Sequence, residues 1–271
     1  LNGSATLGDG NNLLSVKGTV NGNVTTGIGN DSVTVVGGIN GGVTMGNGTN
    51  IVTVNKNVAG TITMGVDDDK ATIDGSVFGS IILGEGNNTL SVGAKIANSS
   101  ANGNITAGAG NDSVTVIGKV TGAVDLAAGN NTLVVKGSAT GAVSALDGND
   151  KFTLEGSFLS AVKLGDGTNT VTLKGTATSI EAGKDDDTIT LTGSASVGVD
   201  AGAGKNTIVI TGTSAVVNAG NGDDKLTING DSNSIILGDG KNTLKITDTD
   251  NKTKSGTIQT GSGDDNITLT G

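Results

Sequence analysis

Seven aspartates, Asp31, Asp69, Asp112, Asp150, Asp187, Asp224 and Asp265, each close a glycine-rich turn, and seven asparagines, Asn12, Asn50, Asn88, Asn131, Asn169, Asn206 and Asn242, close the turns between them. Residues 27–37, GIGNDSVTVVG, show the form: two glycines around Ile28, then Asn30 and Asp31, then Val33 and Val35 alternating with small polar residues. A carboxylate placed at a turn can give oxygen to a hard cation or accept peptide N–H groups, whereas an amide both accepts and donates. Strict alternation of the two suits a row of ion sites or a hydrogen-bonded ladder.

The elements that hold these turns repeat with them. The step from one turn to the next is mostly 19 (Asn12 to Asp31, Asp31 to Asn50), in places 18 (Asn169 to Asp187), and twice longer, 24 from Asn88 to Asp112 and 23 from Asn242 to Asp265. Each unit reads G-x-G-N-[D/N]-x-U-x-U-x-G followed by a second short U-x-U run, as in Val33 and Val35 then Val43 and Met45, or Leu133 and Val135 then Val143 and Ala145. Period-two alternation over such short runs predicts strands with one buried face. Two strands and two turns fill a unit, so the chain is expected to be all-β, a parallel β-solenoid of about fourteen 18–19-residue coils over 1–271. At ~4.8 Å per coil that array would extend roughly 65 Å. The long steps place surface loops near 94–104 and 248–256, away from the GxG corner.

A doubled, 38-residue coil, seven in all, is the alternative. It would put every Asn in one column and every Asp in another, and the residue before each corner favours it: Leu7, Leu83, Leu126, Leu164 and Leu237 precede Asn corners, while Ala107, Ala145, Ala182 and Ala219 precede Asp corners. Ala201, before an Asn corner, is the exception. The 19-residue coil is preferred because two strands already fill it.

Composition narrows the function. Among 271 residues there are 48 Gly and 3 Phe, with no Pro, Cys, Trp, Tyr, His or Arg, so the core must be a thin layer of small and β-branched side chains. A net charge of −10 with no Arg and no aromatic stacking surface argues against a nucleic-acid partner and favours a divalent cation. No apolar run is long enough to span a bilayer. Without His, Cys or Tyr, and with acids spread along the repeat instead of gathered in a cleft, no enzyme is expected.

The repeat resembles the RTX class of calcium-binding β-rolls, with its G-G-x-G-x-D-x-U-x nonapeptide, and more closely the 19-residue x-G-T-G-N-D-x-U-x-U-G-G-x-U-x-G-x-U-x coils of an RTX adhesin ice-binding domain. Residues 26–44, TGIGNDSVTVVGGINGGVT, follow that pattern through the turn and first strand, then run one residue late at Gly37-Gly38. The resemblance implies calcium as the cofactor. Its carboxylate ligands would be Asp31, Asp69, Asp112, Asp150, Asp187, Asp224 and Asp265, completed by carbonyls such as those of Gly27 and Gly29, with the seven asparagines as weaker ligands. Asp67, Asp68, Asp185 and Asp186 enrich two corners. Two departures count against a full transfer. The family's threonine between the glycines is replaced by Asp9, Ile28, Asn47, Val66, Glu85, Ala109, Ala128 and other unlike residues, so ice binding is not implied; the Asn/Asp alternation is also absent from the family pattern.

The alternation itself reads two ways. Carboxylates stacked at ~4.8 Å repel by roughly 1 to 3 kcal/mol per neighbour for an effective dielectric of ~80 to ~20, and an Asn in every second coil about halves that cost. A metal-free Asn/Asp ladder therefore stands beside a calcium array. The function expected is an extracellular structural repeat on a bacterial surface: a rod, stalk or head-to-tail filament of an adhesin-type assembly, partnered by itself or by flanking segments of a longer array. Joining Gly271 to Leu1 would continue the repeat in phase, with a step of 18 from Asp265 to Asn12. The alternative is a binding module whose flat face, carrying Thr-rich strands such as 33–35 and 189–191, meets glycan, mineral or ice.

Overall fold

A computed structural model describes residues 1–96, 98–247 and 256–270. Every regular element among them is a strand, and no helix forms. The chain divides into two units, Leu1–Ala142 and Val143–Gly271. Each unit holds seven coils; coils 1–7 carry the corners from Asn12 to Asn131, and coils 8–14 those from Asp150 to Asp265.

In the first unit a coil makes a two-residue strand, the GxG corner, a four-residue strand, and then a third wall at which one residue bridges to the next coil. In coil 2 these are Val24–Thr25, Ser32–Val35 and Ile39. Each pairs in parallel with its counterpart one repeat further on: Val24 with Val43, Ser32 with Ile51, Ile39 with Val58. This pairing excludes the 38-residue coil. The Leu/Ala alternation that favoured it is instead large and small packing within one column, since Leu83, Ala107 and Leu126 are buried in successive coils. Asn and Asp corners therefore share a column too.

Side-chain alternation decides what is inside. In Ser32–Val35 the valines point inward and are fully buried while Ser32 and Thr34 face out. Because the register repeats, like residues stack on like: Val33, Val52, Ala71, Leu90, Val114 and Leu133 form one buried column. A core of such columns needs no aromatic residue, which accounts for a fold with so few.

The second unit keeps the four-residue strands, such as Thr188–Leu191 and Thr207–Ile210, but lengthens the others, as in Thr176–Glu181, Ser194–Asp200 and Thr213–Asn218. The cause is visible in spacing. From third wall to short strand takes four residues in the first unit (Val20 to Val24) and three in the 18-residue coils (Ala177 to Ile180, Ser214 to Val217), so the turn between them is drawn into the strand. Coil 11 keeps the extra residue, and the ladder takes it up as a register shift between Ala195 and Val199.

The insertion expected at 94–104 follows the four-residue strand of coil 5 and ends in Ser100–Ala101, which rejoins the third wall by pairing with Lys119–Val120. Lys95 Nζ lies 3.0 Å from Asp74 Oδ2 across its base. The loop expected at 248–256 lies outside the described residues except for Gly256.

Stacking at one strand spacing leaves no room for a side chain where a corner passes over the corner before it. Gly220 has φ +90°, and a Cβ there would overlap the Gly202 carbonyl oxygen. Gly220→Ala is expected to destabilise the fold by about 2 to 4 kcal/mol, combining left-handed strain with the clash. An unchanged urea midpoint would mean that these coils are not stacked so closely.

Candidate functional site

Each corner is held by two side-chain ladders that run in opposite senses. In the inner column, the Asx that closes the turn accepts the backbone N–H of its counterpart in the preceding coil: Asn12 N to Asp31 Oδ1 at 2.8 Å, Asp31 N to Asn50 Oδ1 at 3.0 Å, Asn50 N to Asp69 Oδ1 at 2.7 Å. The second unit repeats this, with Asn169 N to Asp187 Oδ1 at 2.7 Å and Asp187 N to Asn206 Oδ1 at 3.0 Å. In the outer column, the residue just before accepts from the following coil, as Asn30 Oδ1 does from Thr49 N at 2.9 Å and Asp186 Oδ1 from Lys205 N at 2.7 Å. The sequence reading counted Asp68 and Asp186 as added acids at two corners but gave the outer position no ladder role. Its signal was present in Asn11, Asn30, Asn87 and Asn111, but Thr49, Thr168, Lys205 and Lys241 interrupt the series.

All fourteen Asx residues predicted from the sequence lie in the inner column of their unit. From Asp31 to Asn242 they are at most 2% exposed, whereas Asn12 and Asp265 are half-buried. Asn and Asp part at the second side-chain atom. The Asn12 Nδ2 donates to the carbonyls of Gly8 and Gly10, 2.6 and 2.8 Å away; Asn50 to Gly46 and Gly48, 2.8 and 2.6 Å; Asn88 to Gly84 and Gly86, 3.1 and 3.0 Å. In the tighter second unit the amide also reaches the next coil, with Asn169 to Ala182 O at 3.1 Å and Asn206 to Ala219 O at 3.0 Å. An Asn corner is thus complete in itself.

At an Asp corner the same turn has no N–H₂ to give. Aspartate is isosteric with asparagine and its Oδ1 takes the equivalent ladder bond, so the repeat sets Oδ2 where an Asn would donate to carbonyls two and four residues back. The Oδ2 atoms of Asp31, Asp69, Asp112, Asp187 and Asp224 are buried without a hydrogen-bond partner. Oxygen gathered among carbonyl oxygens calls for a positive species between them, a proton or a cation. Hard oxygens of this kind fit calcium. Among the described residues no three acidic side chains are placed to share an ion, so most ligands would be peptide carbonyls.

Burial pushes the carboxyls up: Asp69, Asp112 and Asp224 to about 6 and Asp187 to about 7. In each case loss of water outweighs the stabilising bond from the preceding Asn, and neighbouring acids add to the rise, Asp67 and Asp68 for Asp69, Asp185 and Asp186 for Asp187. Comparison with protein-family models, curated proteins and solved structures finds no match for this chain.

The raised values fix a sign. Between the ordinary carboxylate range and about 6 to 7 the folded state binds more protons than the unfolded one, so stability falls as pH rises through that window. In chelator, the melting midpoint is expected to drop from pH 4 to pH 7.5. Asp187→Asn supplies the missing donors and should stabilise the metal-free protein at pH 7.5 by about 1 to 3 kcal/mol. A destabilised variant in chelator, or a midpoint that climbs with pH, would contradict this account of the corner.

Proposed function

We propose that this chain is a structural repeat element, a calcium-stabilised solenoid serving as rod, stalk or filament segment of an extracellular bacterial surface assembly. The observation that carries the calcium part is the enclosed Oδ2 at five Asp corners, lacking a donor where each Asn corner is satisfied by its own amide. A cation there removes the cost of an ionised, desolvated carboxylate. The structural part is supported by the in-register parallel pairing of the four-residue strands within each unit. Acidic composition and the RTX-like turn support the extracellular setting. Its partners in this reading are further coils of the same period, from a second copy or a flanking repeat.

A second reading, a face that binds a flat ligand, draws on one observation. In the first unit Ser15, Thr34, Thr53, Thr72, Ser91 and Thr115 stack in register on the outward side of one sheet. Strand preference for Thr accounts for such a row equally well. Retention of the protein on insoluble polysaccharide, lost on replacing Thr53 and Thr72 by Lys, would favour binding; no retention would remove this reading.

Calcium that binds only the folded state must raise its melting midpoint, by about 2.7 kcal/mol of stability for one site at a hundredfold excess over Kd. At pH 7.5 millimolar calcium is expected to raise the midpoint well above that in chelator, and magnesium to do less. Identical midpoints with calcium and with chelator would refute the calcium reading and leave the metal-free ladder.

A further inference from the structure

Two Asp corners depart from the repeat in a way the ladders do not require. Coils 2 and 6 carry Gly29-Asn30-Asp31 and Gly110-Asn111-Asp112, but coil 4 carries Asp67-Asp68-Asp69 and coil 10 carries Asp185-Asp186-Asp187. Asp67 and Asp185 stand where the repeat has glycine, at φ +87° and +78°, a left-handed region that a side chain enters only at a cost. Their carbonyls still point as the glycines' do: a Cβ on Gly86 would overlap Asp67 O and one on Gly204 would overlap Asp185 O, as one on Gly48 would overlap Gly29 O. Each corner therefore keeps its backbone oxygens and gains two carboxylates in exchange for strain.

Charge gives the substitution a purpose. A divalent ion held by one enclosed carboxylate between two neutral Asn coils leaves a net positive charge in a desolvated place, and the two exposed carboxylates beside it at coils 4 and 10, without sharing the ion as ligands, offset that charge from nearby. We propose that coils 4 and 10 are the tight divalent-cation corners of this chain, one in each unit, ahead of the remaining Asp corners. This rests on the reading that Asp corners take calcium. At both corners the Oδ2 atom, of Asp69 and of Asp187, is buried without a hydrogen-bond partner. Asp68 and Asp186 act through charge, since their Oδ1 atoms already accept Asn87 N and Lys205 N at 2.7 Å. Three lysines flank these corners: Lys184 is paired with Asp166 at 2.6 Å, while Lys70 and Lys205 are exposed, where solvent and salt screen their charge. Coils 12 and 14, with Asp223 and Asp264 before the corner residue, carry one added acid and rank next.

Titration calorimetry of the whole chain with calcium chloride, with melting followed in parallel, tests this. The wild-type chain is expected to show two tight equivalents, one per unit, before any weaker phase. A variant that restores the repeat at both corners, Asp67→Gly, Asp68→Asn, Asp185→Gly and Asp186→Asn, should lose the tight phase. Affinity at each corner should fall on the order of 100-fold, about tenfold for each carboxylate removed at ~7 Å in a water-like dielectric. In chelator the same variant should melt no lower than wild type, because strain has been relieved. Asp31→Asn with Asp112→Asn should leave the two tight equivalents intact. Seven equal sites, or an unaltered titration of the fourfold variant, would overturn the ranking while leaving calcium binding in place. No heat and no midpoint shift in wild type would overturn both.

Discussion

Parallel pairing of each coil with the next within a unit, in constant register along the four-residue strands, is the constraint on which the rest depends. A peptide N–H in one coil meets a carbonyl in its neighbour, as Ser32 N meets Asn12 O and Ile51 N meets Asp31 O, both at 2.8 Å. Once that register is set, every side chain is forced onto a column of equivalents at one strand spacing. Columns tolerate like on like when the residues are apolar or can hydrogen-bond. They do not tolerate like charges, and the inner corner column meets that limit by alternating carboxylate with amide.

The same constraint explains why glycine and aspartate are concentrated at one corner. Close passage of successive turns excludes a Cβ at positions such as Gly46 and Gly202, and the freed backbone turns its carbonyls toward the column. Asn completes this arrangement with two donors. Asp leaves it short of hydrogen, and the burial that raises the Asp187 carboxyl to about 7 measures how poorly an ionised oxygen is accommodated there without a counter-charge. The corner thus holds the coil in place and also creates a demand for a proton or a cation.

Much of this was legible because a repeat reports the same fact many times. The regular step between turns, the inward valines and the fourteen corner residues all follow from counting along the sequence. Less could be read where a column has neighbours in other coils. The Leu83, Ala107, Leu126 series suggested a doubled coil, because size alternation along one column and constant size along two columns give the same string of letters. The outer ladder through Asn30 and Asp186 was missed because Thr and Lys replace the acceptor in several coils without changing the turn. Loss of a single residue from a coil gave no hint of its consequence, the merging of third wall and short strand in Thr176–Glu181.

The sequence by itself determined the class of fold, the period and the identity of the corner residues, since periodic burial and glycine spacing are local properties that each coil states alone. Only the tertiary structure decided that Asn and Asp share one column, that Asn50 satisfies Gly46 and Gly48 with its own amide, and that Asp69 Oδ2 is enclosed with no donor. Those facts concern which atoms of successive turns face one another, and that is fixed by the register between coils, which no single coil encodes.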